Sequence, residues 1–395
     1  MRPALAIVLW ALAWPAVGLS APNPLAAQTV IHQAQVEART LFNPRAVPGS
    51  DGRTHLAYEL RLTSFQAEDD PIRLTRVAMF MDGASTPLAT FEGAALAGLL
   101  VGGQDDDVRG APLASGKSRT LFLWLALPPG APPVALRHQL TFQTRQGAIQ
   151  RADDVRVPVD TAAPVRIGPP LRGGRWLAVE GPGNHLSHHW GGAVAIDGRL
   201  TIPQRYAIDW FGVDETGHAF RGVPAALTDT KVEDWIGYGR DVLAVADGVV
   251  EDVRDGAPDR SPLSPQETPD DLTARTLYGN FVVLRIGQGA YAHYAHLRTG
   301  SLTVKVGQPV RRGQVIGSVG LTGAAGAPHL HFHVSDRPTF EQSEGLPFVI
   351  DAFTLLGHGK IEDTLDPART VELLTPPARP RRGEMPLDGD LVAFP

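Results

Sequence analysis

The sequence contains no cysteine, and this absence removes several kinds of chemistry at once. Disulfide scaffolds, iron–sulfur clusters, cysteine zinc sites and thiol nucleophiles all require that residue. Any metal must therefore be held by histidine and carboxylate side chains. The 13 histidines are consequently the residues to follow.

Excess positive charge is also lacking, since 36 Lys and Arg face 42 Asp and Glu for a formal net charge of -6. This balance argues against a general nucleic-acid binder, so we expect no nucleic-acid partner. The 42 Gly and 34 Pro do not follow the collagen period and indicate many turns between short strands. A length of 395 residues fits two or three domains.

Apolar runs of membrane-spanning length are missing beyond the N-terminus. Residues 1–27 have the pattern of a signal peptide, with Arg2, the apolar run Ala4–Leu19 and small residues after it. The run is short for a membrane span and contains Pro15. We therefore expect an exported mature protein, periplasmic or extracellular, without a membrane span.

The sequence pattern of residues 28–160 is typical of an all-β domain. Leu56–Leu62 alternates apolar and polar residues as a half-buried strand does, and Gly, Pro and Asp clusters separate similar segments. This spacing predicts an Ig-like β-sandwich. Its histidines share no metal-ligand spacing, so we expect a spacer or binding module without chemistry. The proline-rich residues 161–175 are predicted to be a linker.

Ten of the 13 histidines follow this linker, and the strongest pattern among them is Pro328–Val334. Alternation along a strand puts His329, His331 and His333 on one face and apolar residues on the other. Three imidazoles on one face are unfavourable unless something satisfies them. A divalent metal would do so.

Two further segments carry candidate site residues. In the segment 291–297, His293 and His296 point to opposite faces of a strand, so both can serve one site only if the strand ends between them. We expect one of the two to be structural. In the segment 204–210, Arg205 and Asp209 are predicted to share a strand face, which suggests a ligand or an ion pair.

These segments, in this order, resemble the lysostaphin/LytM-type zinc endopeptidases that cut peptidoglycan. Tyr-Ala-His-Leu at 294–297, the Gly-rich hairpin at 304–317 and the Gly323–His331 segment carry the resemblance. It implies an all-β chain in which a β-sandwich precedes a β-sheet catalytic domain of the duplicated hybrid motif type. We assign residues 176–372 to this zinc endopeptidase domain and 373–395 to a C-terminal tail.

The resemblance also implies roles for single residues. Asp209 and His331 would be ligands of a Zn²⁺ ion, the implied cofactor. His329 would act as general base or hold the water, and His296 would orient substrate or stabilise the oxyanion. The implied partners are the peptide stems or cross-links of peptidoglycan, hydrolysed by metal-activated water.

The sequence departs from the family at one ligand. The usual first ligand is a histidine four residues before the aspartate, but Arg205 stands there, and a guanidinium cannot ligate zinc. Because Ser187-His188 matches a Ser-His step in some exported relatives, we predict His188 as the replacement, with His189 as second choice. We further hypothesise that Arg205 faces the cleft and pairs with a substrate carboxylate.

Two other functions compete with an active enzyme. The lost histidine fits a catalytically inactive LytM-type regulator that binds and activates other cell-wall hydrolases, although the retained His296, His329, His331 and Asp209 argue against it. The hairpin 306–317 also resembles that of biotinyl or lipoyl carriers. These need a lysine at the hairpin tip, and residues 318–331 contain none.

Overall fold

The computed structural model describes residues 33–66, 70–101, 112–265, 273–287, 289–366, 368–369, 371–374 and 378–395. The predicted signal peptide lies outside these residues. Strands dominate the described chain and helices are few and short, which confirms the all-β class. No helix within the described ranges is both long and apolar enough to cross a membrane.

The described residues of the N-terminal module, 33–66, 70–101 and 112–160, contain antiparallel strands and one short helix. Its elements are β1 (Val36–Thr40), β2 (Val47–Pro48), β3 (Thr54–Ser64), β4 (Ile72–Met81), β5 (Ala89–Glu92), α1 (Gly93–Leu99), β6 (Leu100–Val101), β7 (Ser118–Leu127), β8 (Ala135–Thr144) and β9 (Ile149–Pro158).

These strands form two sheets, one in the order β1-β3-β7-β6 with β2 on β3, the other in the order β5-β4-β8-β9. Residues of both sheets share one apolar core, to which Leu56, Tyr58 and Leu60 of β3 contribute. The alternate residues of β3, Ala57 and Glu59, point the other way because side chains alternate along a strand. This second face is covered by the rest of the chain.

The C-terminal module begins after residue 160. Its strands are β10 (Val165–Ile167), β11 (Arg175–Val179), β12 (Val194–Ile196), β13 (Arg199–Thr201), β14 (Ile208–Val213), β15 (Asp241–Leu243), β16 (Gly248–Arg254), β17 (Phe281–Gly287), β18 (Ala290–Ala295), β19 (Pro309–Val310), β20 (Val315–Ser318), β21 (Leu330–Ser335), β22 (Phe348–Ile350), β23 (Phe353–His358), β24 (Glu372–Leu373), β25 (Arg379–Arg381) and β26 (Asp390–Ala393). Its helices are α2 (His188–Gly191), α3 (Ala274–Tyr278) and α4 (Ile361–Leu365), with 3₁₀ turns at Leu227–Asp229 and Val232–Asp234.

A large sheet organises this module in the order β19-β16-β17-β18-β21-β14-β11-β26-β23-β24, with β25 on β23. The central strands β18, β21, β14 and β11 are antiparallel neighbours. Their register sets Val179 opposite Asp209, Asp209 opposite His331, and His331 opposite Ala295. Directly paired residues project from the same face, so this row brings the predicted ligands together.

The segments that we expected to be a linker and a tail are built into the sheets. Strand β10 pairs in parallel with β22, and Ile167 is fully buried. Strand β26 lies between β11 and β23 as an interior strand of the large sheet. Phe394, just after it, packs edge-to-face on Trp210 at 5.3 Å.

Candidate metal centre

The centre of the candidate site is the buried carboxylate of Asp209, which three imidazoles surround. Its Oδ1 lies 2.9 Å from Nδ1 of His331, 3.4 Å from Nε2 of His189 and 3.4 Å from Nε2 of His329. Burial alone raises the pKa of Asp209, but His189 and His329 hold that pKa well below its usual range. The carboxylate is therefore ionised, as a metal ligand must be.

Strand β21 and the residues before it supply His329 and His331, as alternation predicted. His329 donates its Nδ1–H to the carbonyl of Ala327 at 2.7 Å, which leaves the Nε2 lone pair toward Asp209. Its ring stacks on Phe211 with centroids 4.9 Å apart. The orientation of this ring is thus fixed from two sides.

The one-turn helix α2 presents the two competing histidines differently. His189 is 2% exposed and donates Nδ1–H to the carbonyl of Glu180 at 2.9 Å, so its Nε2 lone pair faces Asp209. His188 is 68% exposed and its Nδ1 lies 3.2 Å from the Glu180 carboxylate. Burial lowers the pKa of His189 to about 3, which keeps this ring neutral at pH 7.

Both histidines nevertheless lie near Asp209. One ligand atom from each of His188, His189 and Asp209 lies within 4.8 Å of the other two. Burial lowers the pKa of His188, but the hydrogen bond to Glu180 and the negative charges of Asp209 and Glu180 together outweigh burial and raise this pKa. A histidine that favours its charged form is the poorer metal ligand, because a ligand must be neutral.

His296 reaches the site because its strand ends just before it. Strand β18 stops at Ala295, and His296 has φ 61°, a left-handed conformation that is uncommon outside glycine. Its Nδ1–H donates to the carbonyl of Thr322 at 2.8 Å, and its ring lies 4.8 Å from that of His329. His293 lies behind the site, stacked on His333 with centroids 4.4 Å apart.

Two side chains approach the second nitrogen of His331. Its Nε2 lies 3.0 Å from Nδ1 of His333 and 3.0 Å from Nε2 of Gln204. Outer contacts of this kind orient metal-ligating imidazoles. Sequence reasoning assigned no role to Gln204 or Glu180, because neither belongs to a repeated pattern and both act only through the fold.

A cavity of about 500 Å³ opens over these residues. Leu263, Ile361 and Leu365 contribute apolar side chains to its lining. Among the described residues five non-glycine residues have positive φ, and three of them, Glu180, Leu263 and His296, line this cavity. Sparsely populated backbone conformations concentrate at functional sites, so this distribution supports a functional cavity.

The hypothesis that Arg205 faces the cleft is wrong. Arg205 lies in a turn before β14 and not on the strand, so it does not share a face with Asp209. Its side chain is fully buried and pairs with Glu59 of the N-terminal module at 2.7 Å and with Glu344 at 3.0 Å. The turn directs the guanidinium away from the cavity and toward the other module.

The donor set around Asp209 fits a zinc ion. One carboxylate oxygen has imidazole nitrogens of His331, His189 and His329 within 3.4 Å, and each ring has its other nitrogen engaged. Zinc in catalytic sites is held by three such ligands with an open position.

Comparison with known proteins supports the family resemblance for part of the chain. Residues 234–342 match the sequence model of Peptidase family M23. The resemblance to the lysostaphin/LytM type, inferred from the motifs, is thereby confirmed. Asp209 and the α2 histidines precede the matched residues.

Among similar proteins is the cell division protein DipM of Caulobacter vibrioides, 40% identical over 62 residues, which are 16% of this chain and 10% of that protein. The peptidoglycan DD-endopeptidase ShyA of Vibrio cholerae is 41% identical over 71 residues, 18% of this chain and 16% of that protein. The chain thus spans at most about a sixth of the length of these relatives. The catalytic domain of lysostaphin from Staphylococcus simulans is 21% identical, with 44% of this chain and 88% of that domain covered and a TM-score of 0.22.

Proposed function

We propose that the chain is an exported zinc metalloendopeptidase that hydrolyses peptide cross-links of bacterial peptidoglycan in the periplasm or outside the cell. The observation that carries the proposal is the convergence of His189, His331 and His329 on one buried, ionised Asp209 at the floor of an open cavity. The name of one similar protein, the peptidoglycan DD-endopeptidase ShyA, supports peptidoglycan as substrate.

The proposed ligands are His189, Asp209 and His331. His189 is preferred to His188 because its Nδ1–H is engaged by a backbone carbonyl and its Nε2 is free for a metal. His188 is engaged by the Glu180 carboxylate and lies mostly in solvent. A bound zinc ion would supply Lewis acidity and lower the pKa of a water at its open position.

The remaining histidines have proposed roles in proton transfer and charge stabilisation. His329 has its Nε2 directed into the cavity and can take a proton from the attacking water. His296, held by the Thr322 carbonyl through Nδ1, directs Nε2 into the same cavity and can orient the substrate carbonyl or stabilise the developing oxyanion. His331 would hold the metal together with Asp209, and its contact with His333 would orient the ring.

The test compares two neighbouring histidines in the full chain. His189→Ala should reduce zinc content, measured by elemental analysis, to less than a tenth of the wild-type value and abolish release of peptides from purified peptidoglycan, measured by mass spectrometry. His188→Ala is the matched control and should keep most of the zinc. The reverse result would restore His188 as the ligand.

A second function is kept open by one observation, the replacement of a family ligand by the buried Arg205. A wild-type chain that holds no zinc and releases no peptides would favour the non-catalytic regulator that activates other cell-wall hydrolases.

A further inference from the structure

One buried carboxylate of the N-terminal module contacts both segments that lead to the metal centre. Glu59 lies in the middle of β3 on the face that the C-terminal module covers, and its side chain is fully buried. An ionised carboxylate is rarely buried unless it is fully paired. Its partners therefore identify what this position holds in place.

Glu59 accepts three hydrogen bonds, all from the C-terminal module. Arg205 donates from Nε to Oε1 at 2.8 Å and from Nη2 to Oε2 at 2.7 Å, which is a bidentate pair. Trp190 donates its indole N–H to Oε1 at 2.5 Å. The carboxylate thus connects two segments of the C-terminal module that have no strand pairing with each other.

Both hydrogen-bond donors, Trp190 and Arg205, are close in sequence to proposed zinc ligands. Trp190 follows His189 directly in the one-turn helix α2, and Arg205 precedes Asp209 by four residues. Helix α2 has a single turn and cannot be stable alone. The Trp190 ring also packs edge-to-face on Phe122 and Trp124 of β7, with centroids 5.7 and 5.9 Å away. The position of α2 is therefore set largely by the N-terminal module.

Arg205 also pairs with a second carboxylate, Glu344, which does not contact α2. Glu344 lies 3.0 Å from Nη2 of Arg205 but belongs to the C-terminal module, and its other hydrogen bond is from the backbone of Ile202. Burial raises the pKa of Glu344, so this carboxyl ionises less readily than an exposed one. Glu344 pairs with the same guanidinium without touching α2. A Glu344 variant therefore separates loss of an ion pair with Arg205 from loss of the contact with α2.

We propose that Glu59 is a positioning residue for the metal centre, so that the N-terminal module completes the site by fixing α2 and the turn before β14. The proposal rests on the proposed function for the identity of the metal. Through Glu59 the N-terminal module helps to position the metal ligands of the C-terminal module. This role also explains why Arg205 stands where the family has a metal ligand.

The decisive variant is Glu59→Gln in the full chain, which keeps the shape and removes the charge. Zinc affinity, measured by competition with a chromophoric chelator, should fall at least tenfold, as for other residues that orient metal ligands. Glu344→Gln is the matched control and should change zinc affinity less than threefold. Trp190→Phe keeps the aromatic packing, loses the indole N–H donor, and should weaken zinc binding at least threefold.

A second measurement needs no metal. In the metal-free protein, hydrogen exchange of the backbone amides of residues 185–192 should be at least tenfold faster in Glu59→Gln than in wild type. The amides of β16 and β17, which do not contact Glu59, should exchange at unchanged rates and exclude a general loss of stability.

Each outcome decides between the possibilities. A folded Glu59→Gln chain with wild-type zinc affinity and wild-type exchange at residues 185–192 overturns the proposal. If Glu59→Gln does not fold, Trp190→Phe with wild-type zinc affinity and exchange overturns it. A wild-type chain without zinc affinity overturns the proposed function instead, and the exchange measurement still tests Glu59.

Discussion

At the scale of single residues, the rings of the candidate site are fixed by their outer nitrogens. His189, His296 and His329 each donate Nδ1–H to a backbone carbonyl, of Glu180, Thr322 and Ala327 respectively. A carbonyl can only accept, so each ring, when neutral, carries its proton on Nδ1 and presents the Nε2 lone pair to the cavity. The backbone thus selects the tautomer that metal binding and proton transfer require.

A buried histidine far from the site gives a prediction on acid stability. His138 in β8 accepts a hydrogen bond from Tyr58 at 2.6 Å and donates one to the carbonyl of Val155 at 3.1 Å. Burial lowers the pKa of His138 to about 4, whereas an unfolded histidine has a pKa near 6.5. Between these values the unfolded chain binds a proton that the folded chain does not, so stability falls as pH falls through this window.

The size of this effect follows from linkage and reaches up to about 3 kcal/mol by pH 4. In His138→Gln the titrating group is gone, so the loss of unfolding free energy between pH 7 and pH 4.5 should be smaller than in wild type. Urea denaturation followed by circular dichroism at the two pH values measures both losses. Equal losses in the two proteins would contradict a neutral, buried His138.

The site residues differ in how far sequence could predict them. His329, His331 and Asp209 follow from strand alternation and from family motifs, both of which are local in sequence. The choice between His188 and His189 depends on which side of a one-turn helix faces β14, and no periodicity exists in so short an element. The partner of Arg205 lies in the other module, so its pairing depends on how the modules dock.

At the scale of elements, the floor of the site depends on two glycines that touch. Gly279 ends α3 and Gly323 follows Thr322, whose carbonyl orients His296. A Cβ on Gly323 would lie 2.4 Å from the backbone nitrogen of Gly279, and Gly323 has φ +73°. The two segments can approach this closely only without side chains.

Gly323→Ala should therefore push α3 away and displace the Thr322 carbonyl. We expect at least a tenfold loss in peptidoglycan hydrolysis from the misplaced His296, together with destabilisation of about 2 kcal/mol.

Gly313→Ala is the control, since Gly313 has φ +80° but open space around its Cβ position. It should lose about 1 kcal/mol from backbone strain and keep its activity; an equal loss of activity in both variants would argue against the contact. Dye-release assays on labelled peptidoglycan and thermal melts provide the two measurements.

At the scale of the whole molecule, the last residues form an interior strand of the large sheet. Strand β26 separates β11 from β23, although sequence reasoning assigned it to a tail. The alternation in a four-residue strand is too short to recognise, and its partners are distant in sequence. By contrast, the all-β class and the order of the motif strands were predictable, because motif spacing and turn residues specify them locally.

Two substitutions within these last residues test this organisation. Phe394→Ala removes a ring that is 5% exposed and packed on Trp210, and should lower the free energy of unfolding by about 3 kcal/mol. Leu373→Ala, at a side chain that is 56% exposed, should change it by less than about 0.5 kcal/mol. Urea denaturation of both variants measures the difference, and a Phe394→Ala chain as stable as wild type would mean that β26 is dispensable.

The ion pair between Glu59 and Arg205 also constrains how such a chain can evolve. Both side chains are fully buried, and loss of Arg205 would leave the Glu59 carboxylate without its cationic partner, at a penalty of about 3–5 kcal/mol, whereas Arg205 without Glu59 would keep only Glu344. A recombination event that exchanged one module for a homologous one without this acid or this base would therefore yield an unstable protein. We therefore expect a chimaera of two such chains to be viable only when acid and base are transferred together.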